Sequence, residues 1–233
     1  HNLSINGSVE QKKKYLPRLV TGEWWGGMGM TEPGAGSDAV GMTLKAERKG
    51  DRYILNGTKT FITNAAGGNF FLVYARTGKS KKELSTFLIE KTFKGFSVGK
   101  KISKMGMRAS PTGELVFENC EVPVENLVGK EGDTVSHMMR NLNIERVTIA
   151  GISNGIAKAA MDFSTRYATE RKQFDKPIGS FQMIQKMIAD NFTNYMASRA
   201  LVFQAAEAID NKQDTSHMAA AAKVFSAEMA TQV

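Results

Sequence analysis

Near Gly132-Asp133 the chain changes its hydrophobic period, and no other feature limits its possible folds as much. Before that point the apolar residues alternate in short runs: Arg52-Tyr53-Ile54-Leu55, Phe70-Phe71-Leu72-Val73-Tyr74, Ser85-Thr86-Phe87-Leu88-Ile89 and Leu115-Val116-Phe117. Alternation with period two reads as half-buried strands, and Asn56-Gly57, Gly67-Gly68 and Thr112-Gly113 punctuate them. After it, Gly and Pro thin out, and Val135, Met138, Met139, Leu142 and Ile149 fall at helical spacing. Short strands with no helices between them predict an antiparallel barrel or sandwich, and long helices with short connections predict a bundle. The expected class is therefore α+β with several domains. Residues 1–26 close a helical domain, 27–132 form a β-domain, and 133–233 form an incomplete helical bundle.

Within the first piece, Val9, Tyr15, Leu16 and Leu19 share one apolar stripe, and Pro17 is expected to end that helix. In the last piece a long helix runs from about Phe181 to Ala208. A turn at Asp210-Asn211-Lys212 follows, then an N-cap at Asp214 or Thr215 and a helix over Met218 to Val233. The thirteen methionines lie mostly on these stripes, where they are expected to fill the core. The chain starts without Met and both ends fall in helical patterns, so we read it as an internal piece of a longer polypeptide.

Composition removes several function classes. The longest apolar run, Phe70 to Ala75, is about a third of what a membrane-spanning helix needs. The single Cys120 allows no intrachain disulfide and is expected to be a buried, inert thiol. His1, His137 and His217 lack metal-ligand spacing. Net charge is +8, but the tight clusters Lys12 to Lys14 and Lys79 to Lys82 have no interleaved aromatics, so no nucleic-acid platform is expected. Gly27-x-Gly29 lacks the third glycine and the βαβ context of a dinucleotide fingerprint.

Two short motifs carry the chemistry. Thr31-Glu32-Pro33-Gly34-Ala35-Gly36-Ser37-Asp38 is a glycine-rich polar loop able to bring main-chain N–H groups to a ligand. Lys59-Thr60-Phe61-Ile62-Thr63-Asn64 places a flat ring and a hydroxyl two residues apart, hence on one face of a strand. Together they suit a planar heterocycle with apolar faces and a polar edge.

In this order the pair resembles the flavin-binding middle domain of the acyl-CoA dehydrogenases. The resemblance extends along the chain through His1-Asn2-Leu3-Ser4, Gln11 to Pro17, Lys104-Met105-Gly106-Met107-Arg108, Arg171-Lys172-Gln173-Phe174 and Phe181-Gln182. It implies FAD as cofactor. Thr31 and the backbone around Met28 and Met30 would bond the pyrimidine side of the flavin ring. Ser37 would lie near the phosphates and the bound CoA, Phe61 against the ring, and Thr63 at N5. Arg171, Phe174 and Gln182 resemble positions that reach the FAD of a neighbouring subunit, so a homotetramer built as a dimer of dimers is implied.

The reaction implied is α,β-dehydrogenation of an acyl-CoA thioester to the 2-enoyl-CoA, with electrons passed to electron-transfer flavoprotein. Leu142-Asn143-Ile144-Glu145-Arg146 resembles the base-bearing helix of the isovaleryl-CoA dehydrogenases. Glu145 would be the catalytic base, with Asn143 and Arg146 facing the CoA portion, and a short branched acyl group is implied. Enzymes for other chain lengths or dicarboxylic acyl groups remain alternatives. So do an oxidase on the same fold and a non-enzymatic flavin-holding protein that binds nucleic acid. The compartment implied is the bacterial cytoplasm or the mitochondrial matrix.

Overall fold

The computed structural model describes residues 1–233, which fall into two units, His1–Met138 and Met139–Val233. The first unit starts with a short helix α1 (Asn2–Asn6) and a longer α2 (Val9–Val20). Ser8 and Gln11 form a reciprocal capping box at the start of α2: the Gln11 backbone N–H donates to Ser8 Oγ at 3.1 Å, and the Ser8 N–H donates to Gln11 Oε1 at 3.0 Å. The same Gln11 side chain donates onward to the carbonyls of Glu125 and Leu127, at 2.7 and 2.8 Å. Tyr15, buried on the inner face of α2, donates to Glu90 Oε1 at 2.6 Å and accepts from Asn126 Nδ2 at 3.1 Å. Pro17 does not end α2, which runs three residues further. Only one turn follows it, so the missing proline N–H removes a single bond near a terminus.

Strands β1 (Gly26–Gly29), β2 (Lys45–Lys49), β3 (Arg52–Thr63), β4 (Phe70–Arg76), β5 (Leu84–Glu90), β6 (Phe96–Lys101), β7 (Thr112–Pro123) and β8 (Leu127–Val128) form one eight-stranded sheet. Its order is β6-β7-β3-β2-β4-β5-β8, with β1 paired to β4 beside that path. The sheet does not close into a barrel, and it is mixed where uniform antiparallel pairing was expected. β1 runs parallel to β4 from Gly26↔Phe70 to Gly29↔Val73, and β2 touches β4 in parallel at Lys45↔Arg76. No long helix interrupts the strands, so the strand-rich character holds.

Asn56-Gly57 is not a turn. Both residues lie within β3, where the pairing with β7 slips between Leu55 and Gly57, and Gly57 has φ 141°. The true turn is Gly50-Asp51, between β2 and β3, with Gly50 at φ 63°. A β-bulge needs an unusual backbone much as a turn does, so the same glycine serves either.

The core of this unit contains Tyr53, Leu55, Phe71, Phe87, Leu115 and Cys120, all essentially inaccessible. β4 and β5 are buried along nearly their whole length, which explains why their sequences read as continuous apolar runs. Burial pushes the Cys120 thiol up to about 12. It is therefore the inert packing residue expected.

Helix α3 (Thr134–Glu170) begins one residue after Asp133, where the hydrophobic period changes. The second unit continues with a two-stranded hairpin, β9 (Lys172–Gln173) and β10 (Lys176–Pro177), then α4 (Gln182–Asp210) and α5 (Ser216–Gln232). Its shared core joins Val147 and Ala150 from α3, Val202 and Ala205 from α4, and Ala219 and Ala222 from α5, so alanine predominates. A buried polar relay crosses the three helices, with Ser198 Oγ 2.5 Å from Asn154 Oδ1 and 2.8 Å from Ser226 Oγ. The α5 start uses Asp214, whose carboxylate accepts the Ser216 N–H at 3.1 Å.

Not all methionines fill a core. Met42, Met138 and Met229 are buried, whereas Met105, Met107, Met139, Met183, Met187 and Met196 are exposed. Several of these sit on outward apolar faces of α3 and α4, and helical periodicity cannot tell an outward stripe from an inward one. No helix is long and apolar enough to cross a membrane.

Candidate functional site

The two sequence motifs meet in the first unit because β1 and the end of β3 lie against each other. Gly27 approaches so closely that a Cβ there would stand 2.3 Å from the Thr63 carbonyl oxygen, so only glycine fits. Asn64, at φ 64°, turns the chain after β3, and its Nδ2 donates to the Gly26 carbonyl at 2.8 Å. The Thr60 N–H donates to the Thr31 carbonyl at 2.9 Å. Met28, Met30 and Thr31 are thereby fixed alongside Phe61 and Thr63, and all three are half-buried.

The pairing of β3 with β7 slips a second time between Lys59 and Ile62. The bulge has a directional effect: Lys59, Thr60 and Ile62 are buried, while Phe61 and Thr63 both face out. Phe61 sits at φ 59°, a left-handed conformation unusual for a bulky side chain, and 65% of its surface is exposed. A large ring held outward at a cost in backbone strain is a feature of ligand sites. Thr63 shares that outward side, as the spacing predicted.

Sequence reading missed the groups that hold these two segments. Glu32 and Lys59 are a buried ion pair, Nζ to Oε1 2.9 Å, with side chains 3% and 0% exposed. Lys59 Nζ also donates to the Met30 carbonyl at 3.0 Å. Glu32 accepts from the Thr43 N–H and Oγ1 at 2.5 and 2.8 Å, and from the Leu44 N–H at 2.9 Å. Burial pushes Lys59 down to about 8 despite the nearby carboxylate. Burial alone would raise Glu32, but the Lys59 ammonium and the two backbone donors outweigh it and hold the carboxyl low. Each residue lies inside a motif already singled out, but by period two Lys59 would share the face of Phe61 and Thr63, and only the bulge after it turns it inward.

Further along the first loop, Gly34 and Gly36 face open space, and Ser37 is exposed on the outer bend. Asp38 accepts the Gly41 N–H at 3.1 Å and so fixes the way out of the loop.

The remaining expected residues belong to the second unit. Arg171 precedes the β9–β10 hairpin, and its carbonyl accepts the Ile178 N–H at 2.8 Å. Phe174 and Asp175 make the two-residue tip, both left-handed at φ 52° and 61°, and Phe174 is 87% exposed. Gln182 is the first residue of α4. Arg171 and Gln182 are exposed with it, so the three side chains lie on the open surface around one tight turn.

On α3, Arg146 donates to Asn143 Oδ1 at 2.7 Å, and Asn143 Nδ2 donates to Ser216 Oγ at 3.1 Å. Arg146 therefore leans on Asn143, one turn back, and leaves the adjacent Glu145 outside the pair. The Glu145 surface is open to solvent, yet the protein around it desolvates the carboxyl enough to raise its pKa. Arg146 opposes that shift only in part.

An outward aromatic ring thus stands beside a hydroxyl on this sheet, stitched to a glycine-rich loop. The family model for the acyl-CoA dehydrogenase middle domain matches residues 27–120, and that for the C-terminal domain of the same enzymes matches residues 134–233. The chain belongs to the acyl-CoA dehydrogenase family.

It is 44% identical over 237 residues to mitochondrial isovaleryl-CoA dehydrogenase of Pongo abelii, an alignment covering all of this chain and 56% of that protein. A solved glutaryl-coenzyme A dehydrogenase in complex with glutaryl-CoA is 42% identical, with a TM-score of 0.95, over 100% of this chain and 60% of that one. Butyryl-CoA dehydrogenase from Megasphaera elsdenii is 38% identical, with a TM-score of 0.94, over 98% and 60%. The chain thus spans a little over half the length of the relatives it matches.

Proposed function

We propose that the full-length protein is an FAD-dependent dehydrogenase that converts a short, branched acyl-CoA thioester to its 2-enoyl-CoA. The electrons then pass to electron-transfer flavoprotein. The observation that carries this reading is Glu145, a carboxylate whose pKa is raised by desolvation and whose neighbouring arginine is engaged elsewhere. A base needs to be ionised at working pH yet basic enough to take a carbon-bound proton, and desolvation moves a carboxylate that way.

The residues present fit a flavin. Thr31 and the backbone at Met28 and Met30 would hold the pyrimidine side of the ring, Phe61 would lie against it, and Thr63 would reach N5. Ser37 would serve the phosphates and the CoA. When bound, FAD supplies the acceptor for the hydride that leaves the β-carbon. Glu145 takes the α-proton, while Asn143 and Arg146, already ordered by their mutual bond and by Ser216, hold the CoA portion. Arg171, Phe174 and Gln182 would hold the FAD of a neighbouring subunit in a homotetramer. The exposed apolar faces of α3 and α4, including Ile152, Ile156 and Phe203, support such an assembly.

Anaerobic mixing of the full-length protein with isovaleryl-, butyryl- and glutaryl-CoA tests the reading through bleaching of the visible flavin band. Isovaleryl-CoA should bleach the flavin fastest. Bleaching by none of the three would refute the dehydrogenase, and preferential bleaching by glutaryl-CoA would move the substrate to a dicarboxylic acyl group. Arg171→Ala should lower both FAD content and oligomeric order.

A further inference from the structure

The buried pair of Glu32 and Lys59 joins the two segments that the proposed flavin site needs in register. Lys59 Nζ reaches across from β3 to the Met30 carbonyl and the Glu32 carboxylate, at 3.0 and 2.9 Å. Glu32 immediately follows Thr31, and Lys59 lies two residues before Phe61. Glu32 is in turn fixed by three donors from Thr43 and Leu44, so the clamp is referenced to the start of β2 and cannot drift with the loop. A simple stability device could be apolar at no cost, because replacing a buried ion pair by well-packed apolar groups is often neutral or stabilising. What an apolar pair cannot do is hold a carbonyl oxygen by a hydrogen bond, and here that carbonyl belongs to Met30.

We propose that Glu32 and Lys59 are positioning residues for the flavin, setting the distance and orientation of the Met30-Thr31 backbone relative to Phe61 and Thr63. This rests on the flavin reading above. The clamp acts on the edge of the ring through Met30 and Thr31, and on its face through the bulge that turns Phe61 outward.

The test separates folding from cofactor positioning in the full-length protein. Lys59→Met and Glu32→Gln should each lower thermal stability, because each leaves the other charge buried and unpaired. The double variant Glu32→Gln/Lys59→Met removes both charges and should recover much of that stability. Its dissociation constant for FAD should nevertheless stay raised by roughly ten- to a hundred-fold, the loss expected for hydrogen bonds to charged groups. Its visible flavin bands should also shift, which a purely structural role would not produce. Thr43→Val removes one exposed donor to Glu32 and should fold normally, with FAD affinity weakened by up to about tenfold.

A double variant and a Thr43→Val variant that both bind FAD with wild-type affinity and spectrum overturn the inference alone. Should the double variant not fold, the Thr43→Val result decides by itself. A wild-type protein that takes up no FAD overturns the flavin reading and this inference with it.

Discussion

In residues 1–138 the core is built from large side chains: Tyr53, Leu55, Phe71 and Phe87 are essentially inaccessible, and even a lysine is fully enclosed. In residues 139–233 the shared core is mostly alanine, while Ile152, Ile156, Phe163 and Phe203 are more than half exposed. The contrast shows two ways of placing the side chains that the proposed function uses. The sheet holds Phe61 and Thr63 through its own bulge, a buried ion pair and a close glycine contact, so their geometry is fixed from within. The helical unit presents Arg171, Phe174 and Gln182 from a tight turn on an open surface. There the turn fixes the backbone, and the Phe174 ring meets the Phe181 ring edge-on with centroids 6.1 Å apart.

The largest effect expected comes from the helical unit. Glu145→Gln should slow flavin reduction by acyl-CoA by ~10²–10⁴-fold, the range associated with a positioned general base, while leaving FAD content unchanged. Because desolvation raises the Glu145 pKa, this carboxylate loses its charge at a higher pH than an ordinary one. The reductive rate should therefore fall on the acid side with a midpoint above that of an ordinary glutamate, and that limb should vanish in Glu145→Gln. An unchanged rate would place the base elsewhere and leave the helical unit with binding roles only.

Next in size, Phe71→Ala should cost ~3–5 kcal/mol of unfolding free energy, measured by denaturant titration, since it empties a large site in a sealed core. A smaller effect of ~1 kcal/mol is expected for Ser8→Ala, which removes one half of the capping box that starts α2. Lys158→Ala on α3, which removes only an exposed i,i+4 ion pair with Asp162, should change the stability of the fold by ~0.5 kcal/mol or less. A cost approaching that of Phe71→Ala would erase the contrast between the units.

The sequence disclosed the change from strand to helix at residue 133 because period two and period 3.6 differ over any run of several residues. It disclosed that Phe61 and Thr63 share one face for the same reason, while the outward direction of that face is set by the bulge. The parallel partnership of β1 with β4 was hidden, since Gly26-Gly27-Met28-Gly29 is too short and too glycine-rich to show alternation. The bulges at Gly57 and Phe61 were hidden because register depends on the partner strand. Glu32 and Lys59 escaped notice because charged residues are usually solvated, and nothing local marks the rare pair that is enclosed. Pro17 misled in the opposite direction: a strong local breaker was overridden at a helix end where it costs little.

Cys120 has a practical consequence of a different kind. It is the one thiol in these 233 residues, it is fully enclosed, and its pKa is pushed up to about 12. Maleimide and iodoacetamide reagents attack thiolates, so at neutral pH this segment offers them almost no background. A cysteine introduced at the hairpin tip, Phe174→Cys, would be the one labelling point in the segment and could carry a fluorophore or spin label. Its signal would report directly whether the tip stays in water or is covered in the full-length protein.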